Sequence, residues 1–154
     1  MLPACRRHGM AVIPWSPLAG GWLTGKYRRG AAAPEGSRYA PGGTWARWTG
    51  TVDLEADPRT ALVERLSLVA ENAGLTMTQL GLGFVASHPA VTSTIIGPKT
   101  LVQLEEILAA ADTVLTPDVL DAVDEIVPPG SDAAGMEIYG ANPALRPAEL
   151  RRVG

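Results

Sequence analysis

Hydrophobic and polar positions first settle into a pattern at the N-terminus, where Leu2 to His8 reads as a short helical end closed by Gly9, a residue free to take the left-handed conformation that stops a helix. Met10-Ala11-Val12-Ile13-Pro14-Trp15 follows as an apolar run of strand length. Its lack of polar alternation predicts a strand buried on both faces. Ser16-Pro17 ends it, and from there to about Pro58 no helical or alternating period appears. Glycine and proline recur through that stretch, together with Trp22, Tyr27, Tyr39, Trp45 and Trp48. A loop this long is uncommon unless it carries function, and its aromatics fit pocket lining and plain packing equally well.

Helical periodicity returns at Arg59, with Leu62, Leu66, Val69 and Ala73 recurring every three or four residues before Gly74. Thr76-Met77-Thr78-Gln79 has the spacing of a capping box and predicts a helix running to about His88, which Pro89 ends. Val91 to Gly97 is β-branched and bounded by prolines, which predicts a second short strand. Thr100 and Gln103 repeat the capping-box spacing and open a helix with Leu101, Leu104 and Leu108 on one face. Thr116-Pro117 starts the last helix, with Val119, Val123, Ile126 and Val127 directed inward, and residues 128–154 form a tail without period. Two apolar strands separated by helices point to parallel pairing within an α/β fold. Two strands alone cannot cover both faces and both edges, so the fold looks incomplete.

Composition narrows the class. The chain has 154 residues, 46% apolar and 19% charged, which is ordinary for a globular protein and too apolar for a disordered one. No apolar run approaches a membrane span, no secretory signal is visible, and the single cysteine, Cys5, fits a reducing compartment, so the expected location is cytoplasmic. The net charge of −3 divides unevenly: residues 1–50 hold seven basic side chains against Glu35 alone, or +6, and the remainder carries −9. The basic third is suited to an anion, while the acidic remainder would repel a nucleic-acid backbone. No clustered set of metal ligands stands out, and His8 and His88 each sit at a helix end, where a capping or exposed histidine is the common case.

Both predicted strands end in segments suited to phosphate. Ser16-Pro17-Leu18-Ala19-Gly20-Gly21 offers small residues that let a ligand approach the backbone, and Gly97-Pro98-Lys99-Thr100 enters a helix N-terminus. Paired loops after the last two strands hold phosphate in this way in barrel enzymes. Gly20 to Lys26 also fits the spacing of a P-loop, but Tyr27 stands where that motif needs a hydroxyl for magnesium, and no long helix follows.

The run from Gly9 through Val12-Ile13-Pro14-Trp15-Ser16-Pro17-Leu18-Ala19-Gly20-Gly21-Trp22-Leu23-Thr24-Gly25-Lys26-Tyr27 resembles the seventh strand and following loop of the aldo-keto reductases. His88 to Thr100, with Gln103-Leu104-Glu105-Glu106, resembles their eighth strand and the helix after it. The resemblance extends to about Pro129 and implies the last two strand–helix units of a (β/α)8 TIM barrel, with a long cofactor-covering loop, a C-terminal helix and a tail. It implies NADP(H) as cofactor and reduction of aldehydes and ketones. It places Trp15 against the nicotinamide, Ser16, Pro17, Leu18, Ala19 and Gly20 along the pyrophosphate, and Lys26 and Arg38 over the phosphates. Gly97, Lys99, Gln103 and Glu106 would hold the adenosine end, with Lys99 facing a 2′-phosphate; Ile107 stands where the family usually has an asparagine contacting adenine.

The family's catalytic Asp, Tyr, Lys and His belong to earlier strands, and no residue here occupies their positions. The expectation is therefore a C-terminal portion of one barrel domain, 1–154, that binds cofactor and lacks activity alone, with carbonyl substrate handled only when an N-terminal half is supplied. Met1 falls inside the family pattern, as an early start assignment, a truncated gene or a cut chain would place it. Two other classes remain open: a non-catalytic module binding a dinucleotide or partner, and a structural piece that self-associates or assembles with a missing half through exposed strand edges.

Overall fold

A computed structural model describes residues 1–130, except for the side chains of Trp48 and Thr49. Most of the predicted tail, with Tyr139, lies outside the described residues, as does the Trp48 side chain. Six helices occur among the described residues: α1 Leu2–Arg7, α2 Ala46–Thr49, α3 Pro58–Asn72, α4 Met77–Ala86, α5 Leu101–Ala109 and α6 Pro117–Ile126, with a 3-10 segment at Ala19–Thr24.

The helix ends follow local chemistry. The Asp57 carboxylate accepts from the Arg59 N–H at 2.9 Å and caps α3, with Pro58 at its first turn. At α4 the capping box is complete: Gln79 N–H donates to Thr76 Oγ1 at 3.1 Å, and Thr76 N–H donates to Gln79 Oε1 at 2.8 Å. At α5 only half of it forms. Gln103 N–H donates to Thr100 Oγ1, but the Gln103 side chain accepts from the N–H of Lys99, one residue earlier than the box predicts. The glutamine thereby braces the loop that enters the helix.

Neither apolar segment is a strand. Val12 O accepts from Thr92 N–H and Pro14 O from Ile95 N–H, both at 2.9 Å, so the segments run side by side and parallel. The pairing yields a single isolated bridge, Trp15 to Ile95. Pro14 has no N–H to give, Val12 N–H goes to the Thr92 side chain, and neither segment has another strand against it among the described residues. Burial on both faces is likewise not met, since Ile13 is 54% exposed, Trp15 73% and Ile95 54%.

The core lies elsewhere. Trp22, Tyr27, Tyr39 and Leu54 from the long loop pack against Val63, Leu66 and Ala70 of α3, Met77 and Leu80 of α4, and Leu120 and Val123 of α6. Trp22, Tyr27 and Tyr39 form a triad with ring centroids 5.0–5.6 Å apart, edge-on or tilted, the geometry that aromatic quadrupoles favour. The Arg59 guanidinium lies 4.5 Å from the Trp22 ring centroid and 5.3 Å from that of Tyr39, and it pairs with Asp57 at 2.6 Å. Of the loop aromatics that the sequence left between packing and pocket lining, Trp22, Tyr27 and Tyr39 lie in the core, and Trp45 stacks on Tyr39 at its edge.

The 3-10 segment sits on α4 because Gly81 leaves room for it. A Cβ at Gly81 would stand 3.2 Å from Leu18 Cδ2 and 3.3 Å from Leu23 Cβ. That close approach sets where the backbone after Trp15 runs.

Candidate functional site

After Trp15 the chain turns sharply, and several residues leave ordinary backbone space. Ser16 (φ 59°) and Ala19 (φ 48°) are left-handed without being glycine, at a cost of about 1–2 kcal/mol each. Leu18, at φ −100° and ψ 18°, immediately precedes Ala19, a change of hand of the kind that curls backbone into an anion-binding concavity. Thr24 Oγ1 donates to Gly21 O at 2.9 Å and holds the turn closed. The Lys26 side chain folds back over Gly21, where a Cβ would stand 2.7 Å from Nζ, so no larger residue fits there without moving the lysine.

A second wall comes from residues 34–38. Ser37 N–H donates to Pro34 O at 3.0 Å, and Arg38 O accepts from the N–H groups of Trp45 and Ala46, which ties this loop to the start of α2. The third wall is the approach to α5. Lys99 Nζ donates to Gly36 O at 3.2 Å, bridging the second and third walls. Between the walls lies a cleft of about 770 Å³, within the range of small-molecule sites.

Trp15, Ser16, Pro17, Leu18, Gly20, Lys26, Arg38, Gly97, Lys99, Gln103 and Glu106 all line this cleft; of the sequence-predicted set, Ala19 does not. Ala19 bends the turn instead, with its N–H donating to Ser16 O. Sequence reasoning missed Glu35, Ser37 and Thr78, which also line the cleft. Ser37 stands next to Arg38 in a Pro-Glu-Gly-Ser turn that offered a signal. Thr78 offered none, because its partner is Glu106, 28 residues away: Thr78 Oγ1 donates to Glu106 Oε1 at 2.6 Å.

Three cations, Lys26, Arg38 and Lys99, share the cleft with Glu35 and Glu106. Burial, then the charges of Arg38 and Lys99, pull the Lys26 pKa below its ordinary value, while Glu106 acts the other way. An anion placed among these cations would offset their mutual repulsion. Ser37 Oγ is buried and has no hydrogen-bond partner among the described residues, so the second wall holds an unused hydroxyl in addition. Clustered cations, a left-handed backbone turn, a helix N-terminus and this hydroxyl form a donor set that fits a polyphosphate-bearing ligand.

Tyr27 and Tyr39, 0% and 7% exposed, lie in the core and do not line the cleft. His88 Nδ1 accepts from Ala90 N–H at 3.1 Å, a local turn contact. Among the described residues, no group of three or more His, Cys, Asp or Glu side chains is placed to hold a metal ion, and no helix is long and apolar enough to cross a membrane.

The family model for the aldo/keto reductase family matches residues 1–128. A probable voltage-gated potassium channel subunit beta from Arabidopsis thaliana is 36% identical over 129 residues, covering 82% of this chain and 38% of the relative. The uncharacterized oxidoreductase YrpG of Bacillus subtilis (strain 168) is 32% identical over 133 residues, 86% of this chain and 37% of its own length. The L-glyceraldehyde 3-phosphate reductase of Escherichia coli O157:H7 is 29% identical over 131 residues, 84% of this chain and 37% of its own. The chain belongs to the aldo/keto reductase family, whose fold is the (β/α)8 barrel. It spans a little over a third of the length of these relatives.

Proposed function

We propose that this chain is the cofactor-binding portion of an aldo-keto reductase-type oxidoreductase, forming the last part of a (β/α)8 barrel and taking NADP(H). The observation that carries the proposal is the convergence of Lys26, Arg38 and Lys99 on one cleft with the Ser16–Gly20 turn and the α5 N-terminus. Ser16 to Gly20 would follow the pyrophosphate, with Lys26 and Arg38 over it. Lys99 would release Gly36 O and pair with a 2′-phosphate, acting as a compact point charge. Gln103 keeps the Lys99 backbone in place, Gly97 leaves space beside it, and Glu106 faces the adenosine end.

A bound nicotinamide supplies a hydride to a carbonyl carbon. Trp15, 73% exposed at the cleft, offers a flat surface for that ring. Proton delivery to the carbonyl oxygen needs a general acid beside it. The buried positions of Tyr27 and Tyr39 support the absence of such a group among the described residues, and with it a reading of the chain as inactive alone, in a cytoplasmic setting.

Titration with NADPH should quench tryptophan fluorescence, and Lys99→Glu should weaken binding by about tenfold or more through loss of a charge-assisted contact. Absence of any binding at millimolar NADPH would overturn the proposal. Turnover of simple aldehydes by the isolated chain would overturn its inactive part.

The exposed apolar pair of segments supports a second function, assembly. Met10, Ile13, Trp15 and Ile95, each more than half exposed, form an apolar surface of the kind that neighbouring barrel strands cover. An N-terminal half, or a second copy, would supply those strands and with them the means to handle an aldehyde or ketone.

A further inference from the structure

Thr78 is the second residue of α4, 1% exposed, yet it borders the cleft. Its hydroxyl is satisfied by the carboxylate of Glu106 on α5 at 2.6 Å. A carboxylate only accepts, so the hydroxyl must donate, and the length is that of a charge-assisted bond. Glu106 is itself on the exposed side of α5 and would otherwise sample several rotamers. One of its oxygens is thus fixed while the rest of the carboxylate remains at the cleft, close enough for its charge to act on Lys26. Ile107, the neighbouring lining residue, has no side-chain polar atom to share the task.

We propose that Thr78 is a positioning residue, pinning one oxygen of Glu106 so that the other meets an N–H or O–H donor on the adenosine part of a bound dinucleotide; this rests on the cofactor function proposed above. Such a donor is either the 6-amino group of the base or a ribose hydroxyl. A simple tie between α4 and α5 would instead affect every ligand alike.

The test compares the wild-type chain, Thr78→Val and Thr78→Ser by calorimetric titration with NADPH, its 6-oxopurine (hypoxanthine) analogue and reduced nicotinamide mononucleotide, which has no adenosine. Thr78→Val keeps the shape and removes the hydroxyl; it should weaken NADPH about tenfold, the effect of losing one hydrogen bond to a charged group, while Thr78→Ser stays within about twofold of wild type. Binding of the mononucleotide should not change. If the 6-oxo analogue is insensitive to Thr78→Val, the donor is the base amine; if it weakens in parallel with NADPH, the donor is a ribose hydroxyl. Equal NADPH affinity for Thr78→Val and wild type overturns the inference alone, as does parallel weakening of the mononucleotide or a Thr78→Ser chain as weak as Thr78→Val. A wild-type chain that does not bind NADPH overturns both this inference and the cofactor function.

Discussion

Two regions of this molecule both carry large apolar side chains and meet opposite fates. The triad Trp22, Tyr27 and Tyr39 comes from an irregular loop rich in glycine and proline, and all three side chains are buried. The segment Met10 to Trp15 reads as the most strand-like in the chain, and Met10, Ile13 and Trp15 stand open to solvent. The difference lies in what each region needs. The aromatic triad is completed by α3, α4 and α6, which this chain supplies, whereas a parallel strand needs a backbone partner on each edge and a layer on each face.

That contrast can be broken from the buried side first. Trp22→Ala should remove about 3–5 kcal/mol, a large part of the stability of an ordinary domain, because the vacated volume is walled by Tyr27, Tyr39 and Arg59. Urea unfolding would measure it, and a midpoint near that of the unmodified chain would mean the triad is not the organising core.

The next effect is smaller and depends on pH. The hydrogen bond from the Arg59 side chain holds the Asp57 carboxyl below its ordinary pKa. A depressed carboxyl pKa contributes stability that is present above the unfolded value, about 3.9, and fades as pH falls through the folded value. Asp57→Asn should cost stability at neutral pH and much less in acid. Unfolding curves at pH 7 and pH 3 for both chains test this, and a loss independent of pH would remove the ion pair from the account of how α3 and the aromatic triad are joined.

The smallest effect belongs to the open face. Ile13→Ser should change stability by no more than about 0.5 kcal/mol, as for other exposed positions, while reducing self-association seen by light scattering. A loss rivalling that of Trp22→Ala would show the face buried in solution, and the contrast between the two regions would disappear.

Much of this was legible in the residues. Thr76 with Gln79, Thr100 and Thr116-Pro117 mark the starts of three helices, and the two Gly- and Pro-containing segments contribute Ser16, Pro17, Leu18, Gly20, Gly97, Pro98, Lys99 and Thr100 to the cleft. Caps and turns are formed by groups within about four residues of one another, so spacing alone specifies them. Other features need the folded chain. Gln103 turns to Lys99 instead of Thr100, Lys99 reaches Gly36, and Thr78 meets Glu106. Whether Met10 to Trp15 is a strand was also beyond its own residues, because a ladder is a property of neighbours. By itself the sequence determined where helices begin, which segments are apolar and which family the chain resembles. Only the tertiary structure decided that the loop aromatics form the core and that a buried threonine holds a glutamate at the cleft, since both depend on contacts between residues far apart along the chain.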